Sequence, residues 1–137
     1  MTRRTDKPLL PRPRRSCLYV PGANARALEK AKSLPADAFI LDLEDAVAPE
    51  AKADARQAIR KAAHNRAYGD RDVVIRVNGL ETEWGQDDLE TAASAGVDGV
   101  LAPKVASGDD VCFIDQSLDD AGASPELGLW VMIETPL

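Results

Sequence analysis

A parallel α/β fold is predicted for this 137-residue chain, and three observations predict it. Short apolar runs alternate with amphipathic ones from Ser16 onward. Gly and Pro punctuate the changes at fairly regular intervals. The alternation is strict, five strand-like runs with four helix-like ones between them, and a helical crossover returns the chain to the same end of a sheet, so successive strands run parallel.

Each element has a local reason. Ser16–Val20 reads as a strand stopped by Pro21-Gly22, and Asn24 offers an N-cap for a helix carrying Leu28 and Ala31. Ala38–Leu43 is the second strand. Pro49 suits the first position of the next helix, where its missing N–H costs nothing, and Ala55, Ala58, Ile59, Ala62 and Ala63 form the apolar stripe. Asp72–Val77 is the third strand, followed by Asn78-Gly79, a loop through Trp84-Gly85, and a helix marked by Leu89, Ala92 and Ala93 that Gly96 ends. Asp98–Ala102, stopped by Pro103, is the fourth. Ser107 with Asp110 three residues on forms a capping box for a helix bearing Val111, Ile114 and Leu118, and Leu127–Ile133 is the fifth strand.

Two closed solutions fit five strands and four helices. A five-stranded doubly wound domain is complete at this length, whereas a (β/α)8 barrel takes about 250 residues and this chain would be roughly its first half. Length alone favours the smaller fold.

Composition narrows the function. The chain has 17 Lys+Arg against 23 Asp+Glu, net charge −6, which argues against a nucleic-acid surface. No apolar run approaches a membrane span or a secretory signal, and two cysteines make neither a disulfide scaffold nor a zinc site, so a reducing, cytoplasmic setting is expected. Basic residues concentrate in 1–15, where Arg3, Arg4, Lys7, Arg12, Arg14 and Arg15 face Asp6 alone and Pro8, Pro11 and Pro13 interrupt any helix. That segment is expected to be an extended, mostly solvated arm, leaving 16–137 as the folded unit.

In either fold, function gathers at the carboxyl ends of the strands. Strand two exits through Asp42, Glu44 and Asp45, strand three through Arg76 and Asn78, strand four through Pro103-Lys104, and strand five through Glu134-Thr135. Three close carboxyls cannot all ionise without compensation, so a metal or an arginine is implied. Arg76 is a fixed positive fork suited to a carboxylate or a developing enolate oxygen. Glu134 at the end of an apolar strand suits a hard cation, with magnesium the natural candidate. Softer ligands are missing, because the single histidine, His64, falls on a helix surface. Blander roles stay open: Asp42 and Glu44 as a structural salt-bridge cluster with Arg76, Glu134 as a strand-end surface residue, Asn78-Gly79 as a turn, and Lys104 as a solvated loop residue.

Small doubly wound alternatives fare poorly on these residues. A receiver domain of bacterial signalling needs acidic residues after strand one, Asp after strand three and Lys after strand five, where this chain has Tyr19-Val20-Pro21-Gly22, Arg76 and Glu134. Neither a G-x-G-x-x-G turn after the first strand nor a G-x-x-x-x-G-K-[ST] loop is present.

Five segments, Arg15–Gly22, Ile40–Val47, Val74–Gly79, Leu101–Lys104 and Ile133–Pro136, together resemble the citrate lyase β-subunit-like, malyl-CoA lyase-like branch of the HpcH/HpaI aldolase superfamily. Their order and spacing match along nearly all of 15–137. The resemblance implies a (β/α)8 barrel, reversing the preference that length gives, and hence Mg²⁺ held by Glu134, with a coenzyme A thioester as substrate. It implies that Arg76 binds the 2-oxo acid and polarises its carbonyl oxygen, and that Asp42, Glu44 and Asp45 are the acidic cluster supporting metal-bound water and Arg76. Asp45 stands where the aldolase branch carries a catalytic His, which points to the CoA-thioester branch and makes Asp45 a candidate catalytic residue beside Arg76. Arg15 and Lys104 are expected near the CoA side of the pocket. A homo-oligomer, trimer or hexamer, is implied, with no nucleic-acid or membrane partner. The family's second metal ligand, an Asp after strand six, would lie beyond Leu137, so the 137 residues alone are expected to be inactive. The alternative is a non-enzymatic α/β binding or assembly fragment.

Overall fold

The computed structural model describes residues 12–136, so the first eleven residues of the basic arm lie outside the described residues. Nine elements alternate as the sequence predicts: β1 (Cys17–Pro21), α1 (Ala25–Ala31), β2 (Ala38–Asp42), α2 (Lys52–Ala63), β3 (Asp72–Arg76), α3 (Gly85–Ser94), β4 (Gly99–Ala102), α4 (Gly108–Asp120) and β5 (Gly128–Val131). Local chemistry sets their ends. The Asn24 side chain accepts from the Ala27 N–H at 3.0 Å and starts α1. The capping box at Ser107 and Asp110 is formed at α4. Gly96, at φ +73°, turns the chain out of α3. Pro49 opens a 3-10 turn, Pro49–Ala51, rather than α2 itself, which begins at Lys52. A second such turn, His64–Arg66, follows α2 and leaves His64 exposed.

The five strands are parallel and lie in the order β1-β2-β3-β4-β5. That order excludes the doubly wound alternative, which reverses direction at an internal strand and places helices on both faces. With every crossover returning to the next neighbour in the same sense, all helices fall on one face. The packing agrees: Leu28 and Ala31 of α1, Ala55 and Ile59 of α2, Leu89 and Ala92 of α3, and Ile114 and Leu118 of α4 share one core with Val20, Phe39, Leu41, Val73, Ile75 and Val100 of the sheet. The opposite face carries a smaller cluster, Ile40, Val74 and Leu101, with Trp130 and Met132 packed against it. This is the first five strands and four helices of a (β/α)8 barrel, the second cluster marking the barrel interior.

The end of the basic arm is not free. Arg12 Nη1 and Arg14 Nε donate to Asp72 at 3.0 and 2.6 Å, and the Arg14 guanidinium lies 4.8 Å over the Trp130 ring. Arg15 donates to Asp37 from its backbone N (2.9 Å), Nε (3.0 Å) and Nη2 (3.0 Å). The two carboxylates stand at the amino-terminal ends of β3 and β2, so the arm's last residues lie at the end of the sheet opposite the carboxyl rim.

Candidate active site

Alternation along a strand puts residues i and i+2 on one face. Asp42 and Arg76 follow Ile40 and Val74 by two, and therefore project into the barrel interior at the carboxyl end. The register sets them directly opposite each other, and both are buried. Arg76 Nε and Nη2 donate to Asp42 Oδ1 and Oδ2, both at 2.7 Å, a bidentate pair. The Asp42 oxygens also accept from the backbone N–H groups of Glu44 (2.9 Å) and Ala46 (3.1 Å), which bends the exit of β2 around the carboxylate. Burial opposes ionisation of Asp42, but the Arg76 hydrogen bonds and these two N–H groups together hold it below the usual carboxylate range. The same pairing raises the Arg76 guanidinium further above its ordinary value.

With one edge of Arg76 committed, Nη1 faces the rim. It lies 3.0 Å from Glu44 Oε2 and 3.8 Å from Asp45 Oδ2, while the Tyr19 ring covers the guanidinium at 5.1 Å. Arginine is therefore a compensating cation for the three carboxyls. Glu44 is 7% exposed, and its Oε2 has no hydrogen-bond partner despite the nearby charge. Burial pushes its carboxyl up, against the pull of Arg76 and Lys104. Asp45 turns outward, its side chain 79% exposed.

Lys104 and Glu134 meet the cluster from β4 and β5. Lys104 sits at φ +55°, a strained conformation for a residue with a side chain. That turn aims its backbone N–H at Glu134 Oε1, 2.9 Å away, and brings Nζ to 3.4 Å from Glu44 Oε1. Glu134 is exposed at the rim. Its donor chemistry fits a hard divalent cation, being an oxygen ligand at a rim with no soft donor. Among the described residues, however, no group of three or more His, Cys, Asp or Glu is close enough to hold an ion.

Of the residues expected at the site, Asp42, Glu44, Asp45, Arg76, Lys104 and Glu134 form one connected constellation. Arg15 does not join it. It lies before β1, where three hydrogen bonds hold it on Asp37 and draw that carboxyl down to about 2. A strand of five residues separates it from the rim.

Sequence reasoning missed Tyr19, although its register opposite Ile40 puts it on the interior face. It also missed a buried layer beneath the rim. Lys52, the first residue of α2, is 4% exposed, and its Nζ donates to the carbonyls of Leu43 (2.8 Å) and Glu44 (3.1 Å) and to Asn78 Oδ1 (2.9 Å). Asn78 Nδ2 donates to Leu43 O (2.9 Å) and Asp88 Oδ2 (2.6 Å), and Arg56 Nη1 to Asp88 Oδ1 (3.0 Å). Burial holds the Lys52 ammonium below the ordinary lysine range, against the pull of Asp88 and the rim carboxylates. A hydrophobic stripe pattern gives no sign that an apparent surface lysine turns inward.

Comparison with known proteins places this arrangement. A (3S)-malyl-CoA thioesterase of Cereibacter sphaeroides (strain ATCC 17025 / ATH 2.4.3) is 48% identical over 91% of this chain and 42% of its own length. Citrate lyase subunit beta of Escherichia coli (strain K12) is 40% identical over 92% of this chain and 43% of its own. The chain thus spans less than half the length of these relatives. The crystal structure of protein CitE from Mycobacterium tuberculosis in complex with magnesium, acetoacetate and coenzyme A superposes with a TM-score of 0.62 at 31% identity, covering 74% of this chain and 38% of that one. The family model for HpcH/HpaI aldolase/citrate lyase matches residues 15–136, and the chain belongs to that family.

Proposed function

We propose that the protein carrying these residues is a magnesium-dependent lyase that breaks a carbon–carbon bond in a 3-hydroxyacyl-CoA, of the malyl- or citryl-CoA kind, to give an acyl-CoA and a 2-oxo acid. The observation that carries this reading is Arg76, a buried guanidinium fixed along one edge by Asp42 and presenting its remaining donor at the rim. A preorganised donor of this kind stabilises charge that develops on an oxygen without having to reorganise during the reaction. The thioesterase and lyase names of the relatives, with the magnesium and coenzyme A in the CitE complex, support the substrate and cofactor.

In the proposed reaction the substrate hydroxyl loses its proton, the adjacent carbon–carbon bond breaks, and its electron pair passes to the thioester as an enolate that then takes up a proton. Arg76 holds the oxygen that becomes the 2-oxo carbonyl. Asp45, exposed beside Arg76, handles the proton. Lys104 places a positive charge at the pocket mouth for an anionic part of the substrate. Glu134 is the metal ligand this chain contributes, and a bound divalent cation would supply further positive charge to the oxo acid's carboxylate and oxygen. The assembled enzyme is proposed to be a homo-oligomer, trimer or hexamer. The 137 residues alone are proposed to lack turnover, since among the described residues no three ligating side chains converge to hold a metal.

The 48% identical relative named a thioesterase favours a second reading, hydrolysis of the same class of thioester. Product analysis separates the two. Malyl-CoA and citryl-CoA incubated with the whole protein and Mg²⁺ should yield acetyl-CoA and a 2-oxo acid. Free CoA and the intact hydroxy acid would establish the hydrolase instead, and no consumption of either thioester overturns both.

A further inference from the structure

We propose that Lys52 is a positioning residue for the rim, holding the Glu44 carboxylate against Arg76 through the backbone of residues 43 and 44. The proposal rests on the lyase reading for its consequence in catalysis and on geometry alone for its mechanism. Asp42 fixes one edge of the Arg76 guanidinium directly. Glu44 is held less firmly from the front: among the described residues its Oε2 makes an ion pair with Arg76 Nη1 at 3.0 Å but no hydrogen bond, its Oε1 meets the largely exposed Lys104 at 3.4 Å, and its neighbour Asp45 swings into solvent. The constraint comes from behind. A single ammonium bonds two successive carbonyls, Leu43 and Glu44, leaving its third donor for Asn78 at the exit of β3.

That third bond makes the device a clamp between strands. Asn78 returns a bond to Leu43 O, and both its backbone N (2.9 Å) and its Nδ2 hold Asp88 of α3. Arg56, one turn after Lys52 on α2, holds the other Asp88 oxygen. The exits of β2 and β3 are thus tied to α2 and α3 by one satisfied polar network. Trp84 covers Lys52 Nζ at 4.9 Å and shields it from water. Carbonyls that turn inward toward Lys52 direct the Glu44 side chain the other way, across the rim to Arg76. A polar network with every member paired rigidifies its surroundings, which is what a catalytic constellation needs from its supporting layer.

The test uses the whole protein. Lys52→Met keeps the apolar stem and removes all three donors, whereas Asn78→Ala removes the inter-strand bond and leaves both carbonyl bonds. Misplacing a reacting group by about 1 Å costs on the order of 100-fold, so kcat should fall by about that much in Lys52→Met. The fall should be smaller in Asn78→Ala, with KM for the thioester little changed in both. A role in folding alone would lower the melting temperature and leave kcat of the folded fraction intact, which overturns the proposal. Crystal structures of the two variants give a readout independent of turnover, so failure of the lyase reading remains distinguishable. Glu44 should leave Arg76 in Lys52→Met, and a Glu44 that still lies 3.0 Å from Arg76 as in the parent overturns the proposal. If Lys52→Met does not fold, Asn78→Ala and Lys52→Gln carry the same comparison.

Discussion

Arg76 has two nitrogens committed to Asp42 and one turned to the rim, so the fork geometry and not merely the charge defines the site. In the whole protein, Arg76→Lys should retain Mg²⁺ binding and lose about 10²–10³ in kcat, the effect of deleting one preorganised donor. A wild-type rate in that variant would remove Arg76 from the reaction. Glu134→Ala should instead weaken Mg²⁺ binding, read by titration calorimetry. Opposite pH dependences are expected for the two buried acids. Asp42 is held below the usual range, so its contribution to stability is present above the ordinary aspartate pKa and is lost as pH falls through the folded-state value. Asp42→Asn should cost about 3–5 kcal/mol at neutral pH, with the gap to the parent closing in acid. Glu44 is pushed up by burial, so its contribution is greatest below the ordinary glutamate range and is lost as pH rises through the folded-state value. Urea denaturation of Glu44→Gln across that range should show a flatter limb than the parent. A parallel pH profile would deny the burial effect.

At the scale of elements, the strand exits are shaped by close backbone approach as well as by charge. Gly22 follows β1 and donates its N–H to Asp42 O at 2.9 Å. A Cβ there would lie 2.6 Å from that oxygen and 2.8 Å from Ile59 Cδ1. Gly22→Ala should therefore push β1 off β2 and cost about 1–3 kcal/mol, as other overpacked sites do. Because Asp42 O belongs to the residue that pairs Arg76, the same variant should also disturb the site, and amide shifts confined to α1 would contradict this. The α4 capping box offers a control away from the chemistry. Ser107→Ala should cost about 1 kcal/mol in thermal denaturation without touching the Arg76 cluster.

The whole molecule shows one face of its sheet packed under four helices and the other carrying Ile40, Val74, Leu101, Trp130 and Met132. Tyr19 remains 44% exposed on that interior side, and β1 and β5 are both edges. Edges and apolar faces of this kind invite pairing with another chain. The 137 residues by themselves should self-associate or pack loosely. Mass in solution and amide exchange check this, and a compact monomer with slow exchange in all five strands would contradict it. Among the described residues no helix is long and apolar enough to cross a membrane.

Local signals determined the five strands and four helices of the described residues, though not the 3-10 turns that flank α2: Asn24, Ser107 with Asp110, and Gly96 act on their own neighbours, and alternating apolar runs act through the strand and helix periods alone. The rim was equally legible, since residues just after parallel strands converge whatever the barrel's size, which is why Asp42, Glu44, Arg76, Lys104 and Glu134 could be named together. Sheet order was not fixed by local pattern, because a doubly wound sheet and a barrel share the same alternation, and the motif resemblance chose between them before the β1-β2-β3-β4-β5 order did. Arg15 and Lys52 depended wholly on tertiary structure. Arg15 is held at the end opposite the rim by Asp37, 22 residues away in sequence, while Lys52 turns inward because the carbonyls at 43 and 44 and Asn78, 26 residues on, converge on it. Which partner a charged side chain finds across such separations depends on where the folded backbone brings its donors and acceptors, and no local propensity encodes that.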